Sequence, residues 1–150
     1  MQYEVSTLIN RPLVEVFQFV TNVTNQPKWQ SSAVENTQLT PGPMAVGVTI
    51  QHVGKWLGRR YVGTGQVTEF EPNSRWAYKT LDGPYQLEMH YHFEPAPSGT
   101  RLTMVADGED SGFFRLPAPL LRFFAQRVLQ GDLDRLKKVL EGGRERAAER

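Results

Sequence analysis

Between Leu120 and Leu140 the apolar residues Leu120, Leu121, Phe124, Val128, Leu129, Leu133, Leu136 and Leu140 recur at a helical period, with Arg, Gln, Asp and Lys filling the other face. The chain must therefore bury one long amphipathic helix against something. About 25 to 30 residues at 1.5 Å each make a helix of roughly 40 Å, long enough to cross the whole face of a sheet. Gly142-Gly143 is expected to end it, and the charged segment 144–150 is expected to fray.

The partner for that helix is written in the preceding half of the chain. The β-branched and aromatic runs Arg60 to Phe70, Arg75 to Leu81, Tyr85 to Glu94 and Thr100 to Asp107 are broken at Leu57-Gly58, Glu71-Pro72-Asn73-Ser74, Asp82-Gly83-Pro84 and Pro95 to Gly99. These are strand-sized runs joined by hairpin turns with no helix between them, so neighbours pair antiparallel as a meander. Two more strands, Ala33 to Leu39 and one through Val48, Ile50 and His52, flank the turn Thr40-Pro41-Gly42-Pro43. At the start, Tyr3 to Ile9 alternates as a half-buried strand. Leu13, Val16, Phe17 and Val20 then follow at helical spacing, with Asn10 as the expected cap, Pro12 in the first turn and an end near Asn22. Pro27 reduces Asn25 to Gln30 to a short turn of helix.

The 150 residues suit one domain, taken as residues 1–143 with 144–150 as a tail. A balance of 17 Lys+Arg against 16 Asp+Glu gives no field that would draw the protein to nucleic acid or an anionic membrane. Without cysteine there are no disulfides, thiol nucleophiles or cysteine-based metal sites. The N-terminus shows no basic region followed by an apolar run, and no stretch of about 18 apolar residues occurs. The chain reads as a cytoplasmic monomer or homodimer without stable membrane insertion.

The order strand, helix, short helix, six strands, long helix resembles the helix-grip fold of the START-like (SRPBCC) superfamily, in particular its polyketide cyclase/dehydrase branch. Asn10-Arg11-Pro12 with Val14-Glu15-Val16-Phe17, Pro27-Lys28-Trp29, Val67 to Pro72 with Arg75-Trp76, and Gly99 to Thr103 carry the resemblance. It implies an α+β domain in which a curved antiparallel sheet of six to seven strands, with two short helices after the first strand, wraps around a long C-terminal helix. These motifs mark architecture and not chemistry, so function passes from the family only by analogy. The resemblance implies binding of a small hydrophobic or aromatic molecule (lipid-, polyketide- or hormone-like) between sheet and helix, with no cofactor. An aromatase/cyclase-type enzyme is the alternative, and a protein-interaction module the third.

Alternation sorts the side chains. Leu87, Met89, Tyr91 and Phe93 share one face of their strand, and Glu88, His90, His92 and Glu94 the other. By the same count Trp76, Tyr78 and Thr80, and Leu102, Met104 and Ala106, point inward. Each such aromatic taken singly is ordinary core, and Tyr61, Tyr78 and Tyr91 stand out because a buried phenol needs a partner that a ligand can supply. His52 shares its face with Val48, Ile50 and Trp56, and three roles are open to it: satisfied core histidine, anchor for a ligand, or general acid/base. A cyclase would use such a group with Tyr78 or Arg59 to promote enolisation. His90 and His92 have a spacing that suits metal, yet they fall on the solvent side with no third histidine near, and no metal site is expected. Gly63-Thr64-Gly65 sits inside a strand and marks a bulge or bend. Segment 107–121, with Phe113, Phe114 and Leu116 between glycines and prolines, has the composition of a lid or of an anchor for the helix start. The expected ligand-binding set is Ile50, His52, Trp56, Trp76, Tyr78, Leu87, Met89, Tyr91, Met104, Phe113 and Phe124, with His52 the catalytic candidate.

Overall fold

The computed structural model describes residues 2–56, 58–83, 86–108 and 118–148. Its strands are β1 (Gln2–Ile9), β2 (Ala33–Gln38), β3 (Thr49–Trp56), β4 (Arg59–Glu71), β5 (Arg75–Asp82), β6 (Leu87–Ala96) and β7 (Gly99–Gly108). All pair antiparallel in one curled sheet, ordered β1-β7-β6-β5-β4-β3-β2. β2 to β7 form the meander expected of strands joined by short turns. β1 closes beside β7, with Val5 opposite Met104 and Ile9 opposite Thr100. The two edge strands are thus neighbours in sequence, and α1 (Leu13–Thr21) with the 3₁₀ helix Val23–Lys28 spans from one edge to the other. The architecture is the helix-grip arrangement.

Alternation holds strand by strand. Met89, Tyr91 and Phe93 are buried while Glu88, His90 and Glu94 are exposed, and Leu102, Met104 and Ala106 are buried on β7. Under α1, Phe17 packs its ring 5.0 Å from Phe93 and 5.6 Å from Phe70. Pro12, and not Asn10, holds the N-cap position of α1, without a side-chain cap. The fixed φ of proline presets the helix entry, and the Arg11–Glu15 ion pair braces the first turn. The asparagine that does cap is Asn22, whose Oδ1 accepts from the Thr24 amide at 3.3 Å and its hydroxyl at 2.7 Å.

The long helix, α2 (Ala118–Ala148), runs through Gly142-Gly143 and does not stop there. A glycine inside a helix costs only about 1 kcal/mol, and the Glu, Arg and Ala residues that follow favour helix. Leu133, Leu136 and Leu140 are its buried stripe. α2 lies along β1: Gln126 Nε2 donates to the Glu4 carbonyl at 2.9 Å, Gln130 Nε2 to that of Ser6 at 3.5 Å, and Lys137 Nζ to that of Leu8 at 2.6 Å. Alternate outward carbonyls of the edge strand are thereby satisfied, which closes β1 to pairing with another chain. No helix among the described residues is long and apolar enough to cross a membrane.

Candidate functional site

A hollow in the sheet needs positions where side chains are missing, and β4 supplies them. Its inward positions read Tyr61, Gly63, Gly65, Val67, and the β4–β5 register slips between Thr64 and Gly65. The bulge brings the backbones so close that a Cβ on Gly63 would lie 3.0 Å from the Asp82 carbonyl oxygen, and one on Gly65 3.1 Å from that of Lys79. Two glycines in succession leave a cavity of about 150 Å³ between the sheet and α2. Ile50, Leu87, Met89, Met104, Val128 and Leu129 form its apolar wall.

One polar group of the wall centres on His52. Its Nδ1 lies 2.6 Å from Asn36 Oδ1 and its Nε2 3.2 Å from the Tyr61 hydroxyl. Since Asn36 Oδ1 only accepts, Nδ1 carries the proton and Nε2 accepts from Tyr61. Burial lowers the pKa of His52 and keeps the ring neutral. Asn36 itself is buried and sits directly opposite His52 across β2 and β3. Tyr61 folds over Gly54, where a Cβ would come within 2.4 Å of its ring.

A second polar group lies towards the 3₁₀ helix. Gln30 Nε2 donates to the Tyr91 hydroxyl at 3.2 Å, and that hydroxyl lies 3.4 Å from the hydroxyl of Tyr78. Burial raises both phenols, Tyr91 well above the ordinary tyrosine value. Beside them Asp132 of α2 is 5% exposed, and its Oδ1 accepts from the Ser31 amide at 2.9 Å. Burial raises its pKa from the ordinary 3.8, opposed by the Ser31 hydrogen bonds and more weakly by Arg135. A raised folded-state pKa contributes stability that is complete below the unfolded value and is lost as pH rises through the folded one. Asp132→Asn keeps the acceptor for Ser31 and removes the charge. Its urea midpoint is therefore expected to exceed that of the parent at neutral pH and to converge with it below 3.8, in paired denaturation curves.

Of the residues singled out from sequence, Ile50, His52, Tyr78, Leu87, Met89 and Met104 come together around this cavity. Trp76 and Tyr91 are fully buried in the core behind Tyr78, their ring centres each 5.1 Å from the next in the stack, and are not part of the wall. Phe124 is 43% exposed on α2 beside Phe123 and stands outside the cavity. Arg59 is exposed at the start of β4. Phe113, the side chain of Trp56 and residues 109 to 117 of the segment expected to be a lid or a helix anchor lie outside the described residues. His90 and His92 point outward, each within reach of a glutamate, Glu88 at 3.5 Å and Glu94 at 3.3 Å. No cluster of three metal-ligating side chains occurs among the described residues. Asp132 was missed although its signal was available: it interrupts the apolar stripe formed by Leu129, Leu133 and Leu136.

Residues 1–141 match the model of a family described as polyketide cyclase/dehydrase and lipid transport. No curated protein matches the chain. Among solved structures, a START superfamily protein from Mycobacterium smegmatis superposes with a TM-score of 0.80 at 15% identity, covering 94% of this chain and 97% of that one. A protein from Thermus thermophilus gives 0.78 at 14%, covering 95% and 99%. The di-domain ARO/CYC BexL gives 0.74 at 18%, covering 94% of this chain and 46% of that one. At these identities the likeness is one of fold.

Proposed function

We propose, from the premise that the chain belongs to the polyketide cyclase/dehydrase and lipid transport family, that it holds one small, mainly apolar molecule between sheet and α2. The observation that carries this reading is the glycine-opened cavity, apolar along its wall and polar at two separate places. At about 150 Å³ it equals a cavity known to admit benzene and falls below the roughly 300–1,000 Å³ of drug-sized sites. The ligand is therefore about one ring in size, smaller than a long acyl chain or a fused polycycle. Native mass spectrometry of freshly purified protein is expected to show one bound compound of that size, released intact on denaturation. A compound of several rings, or a long-chain lipid, would sink this assignment of size.

The geometry of His52 favours a second reading, an enzyme of the aromatase/cyclase kind. A neutral imidazole with its tautomer fixed by Asn36 and its Nε2 on Tyr61 can draw a proton through the phenol from a substrate carbon next to a carbonyl. For such an enzyme, His52→Gln is expected to lower turnover by about 100-fold or more while leaving binding within about threefold, since a positioned general base contributes 10²–10⁴. For a carrier the variant binds its ligand as before and there is no turnover to lose. Calorimetry with a product assay on the compound identified above separates the two.

A further inference from the structure

Resting on the cavity reading above, we infer that the ligand is a small amine, bound as its ammonium form against Asp132, and that carboxylic acids of the same size are rejected. Among the described residues the charged side chains of the wall are Asp82 and Asp132, with no Lys or Arg. His52, the one other titratable nitrogen there, is hydrogen-bonded at both ring nitrogens and so has no proton to offer an anion. Asp132 is 5% exposed, accepts from Ser31, and forms no ion pair among the described residues.

A buried carboxylate ordinarily has a cation for a partner, because hydrogen bonds from one neighbour replace only part of its lost hydration. Among the described residues the only basic group acting on it is Arg135, exposed one turn along α2 and at no ion-pair distance. An ammonium group in the cavity would complete this set with a charge-assisted hydrogen bond. The phenol ring of Tyr78 and the apolar wall of Ile50, Met89, Met104 and Leu129 would enclose the rest of the ligand, aromatic faces being favourable to a cation. A carboxylate ligand would meet Asp132 and Asp82 as like charges with no donor cation to offset them.

The test uses three one-ring molecules of similar size and three charges: benzylamine, benzyl alcohol and benzoate, titrated calorimetrically into the full chain at neutral pH and low salt. Benzylamine is expected to bind at least about tenfold more tightly than benzyl alcohol, with benzoate weakest. Asp132→Asn is expected to bring the amine and the alcohol within about twofold of each other while alcohol binding persists, which also establishes that the variant is folded. Should that variant fail to fold, the order of the three on the parent protein decides the matter. Equal affinity for amine and alcohol, tighter binding of benzoate, or an undiminished amine preference in Asp132→Asn overturns the inference and leaves the cavity reading intact. Binding of none of the three overturns both.

Discussion

Replacing Gly99 by alanine is expected to destabilise the protein by roughly 2–6 kcal/mol, the sum of a strained backbone and an overpacked contact. Gly99 opens β7 with φ at +151°, and a Cβ there would stand 2.3 Å from the Ile9 carbonyl oxygen and within 2.8 Å of two backbone atoms of Arg11. None of these is the movable end of a side chain. The contact is where the β6–β7 hairpin presses on the junction of β1 and α1, and the buried Thr100 hydroxyl donates to the Arg11 carbonyl at 2.9 Å in the same place. Relieving the clash therefore means withdrawing β7 from β1, the pairing on which α2 rests. Against a total stability of about 5–15 kcal/mol, that is a large share of the margin that holds the protein folded. Urea denaturation followed by circular dichroism checks this, with the midpoint lowered by about 1–2 M or the baseline lost. Ser98→Ala, one residue earlier on an exposed turn, is expected to leave the midpoint in place. A Gly99→Ala protein of parental stability would mean that the hairpin and the α1 junction do not meet this closely.

The elements that were legible in the sequence are those governed by local periodicity. Leu87 to Phe93 alternate because one face of β6 meets the core and the other meets water, and the same count placed Trp76, Leu102 and Met104. Helix ends were less legible, because Gly142-Gly143 reads as a stop only if the chain turns there, and in α2 it does not. The site was legible by halves. Inward position on a strand follows from alternation, so Ile50, His52, Tyr78 and Met89 could be named. The partner of His52 could not, because Asn36 reaches it only through the register of β2 on β3, which depends on the loop between them and on a shift near Ala33 and Glu35. Nor does alternation separate a wall from a core: Trp76 and Tyr91 point the same way as Tyr78, and what sets Tyr78 on the cavity is the absence of side chains at Gly63 and Gly65 across the bulge. The apolar spacing that placed Leu129 on the inner face of α2 also carried Phe124 into the expected set, although the first turns of that helix leave Leu120, Phe123 and Phe124 exposed.

Filling the hollow from the helix side is expected to abolish binding without unfolding the protein. Val128 on α2 is half-buried, faces the cavity, and precedes Asp132 by four residues, so the two lie one turn apart on the same face. In Val128→Trp the added ring grows into empty space. The same ring built outward from β4 would collide with the close backbone of β5 at Gly63 or Gly65. A cavity of about 150 Å³ that admits one ring cannot hold both an indole and a ligand. Affinity for any one-ring ligand that binds here is expected to fall by about 100-fold or more, losing most of the burial that a ring contributes. Stability is expected to stay within about 1 kcal/mol of the parent or to rise, since the apolar surface gained by the indole offsets any overpacking, as cavity-filling changes commonly do. Phe123→Trp, which puts the same indole on the exposed face of the same helix, serves as the control and leaves both quantities unchanged. Calorimetric titration with benzylamine and a urea curve for each variant give the two readouts. Undiminished binding in a folded Val128→Trp would place the ligand elsewhere on the molecule, and weakened binding in both variants would trace the loss to the helix as a whole and not to the space it covers.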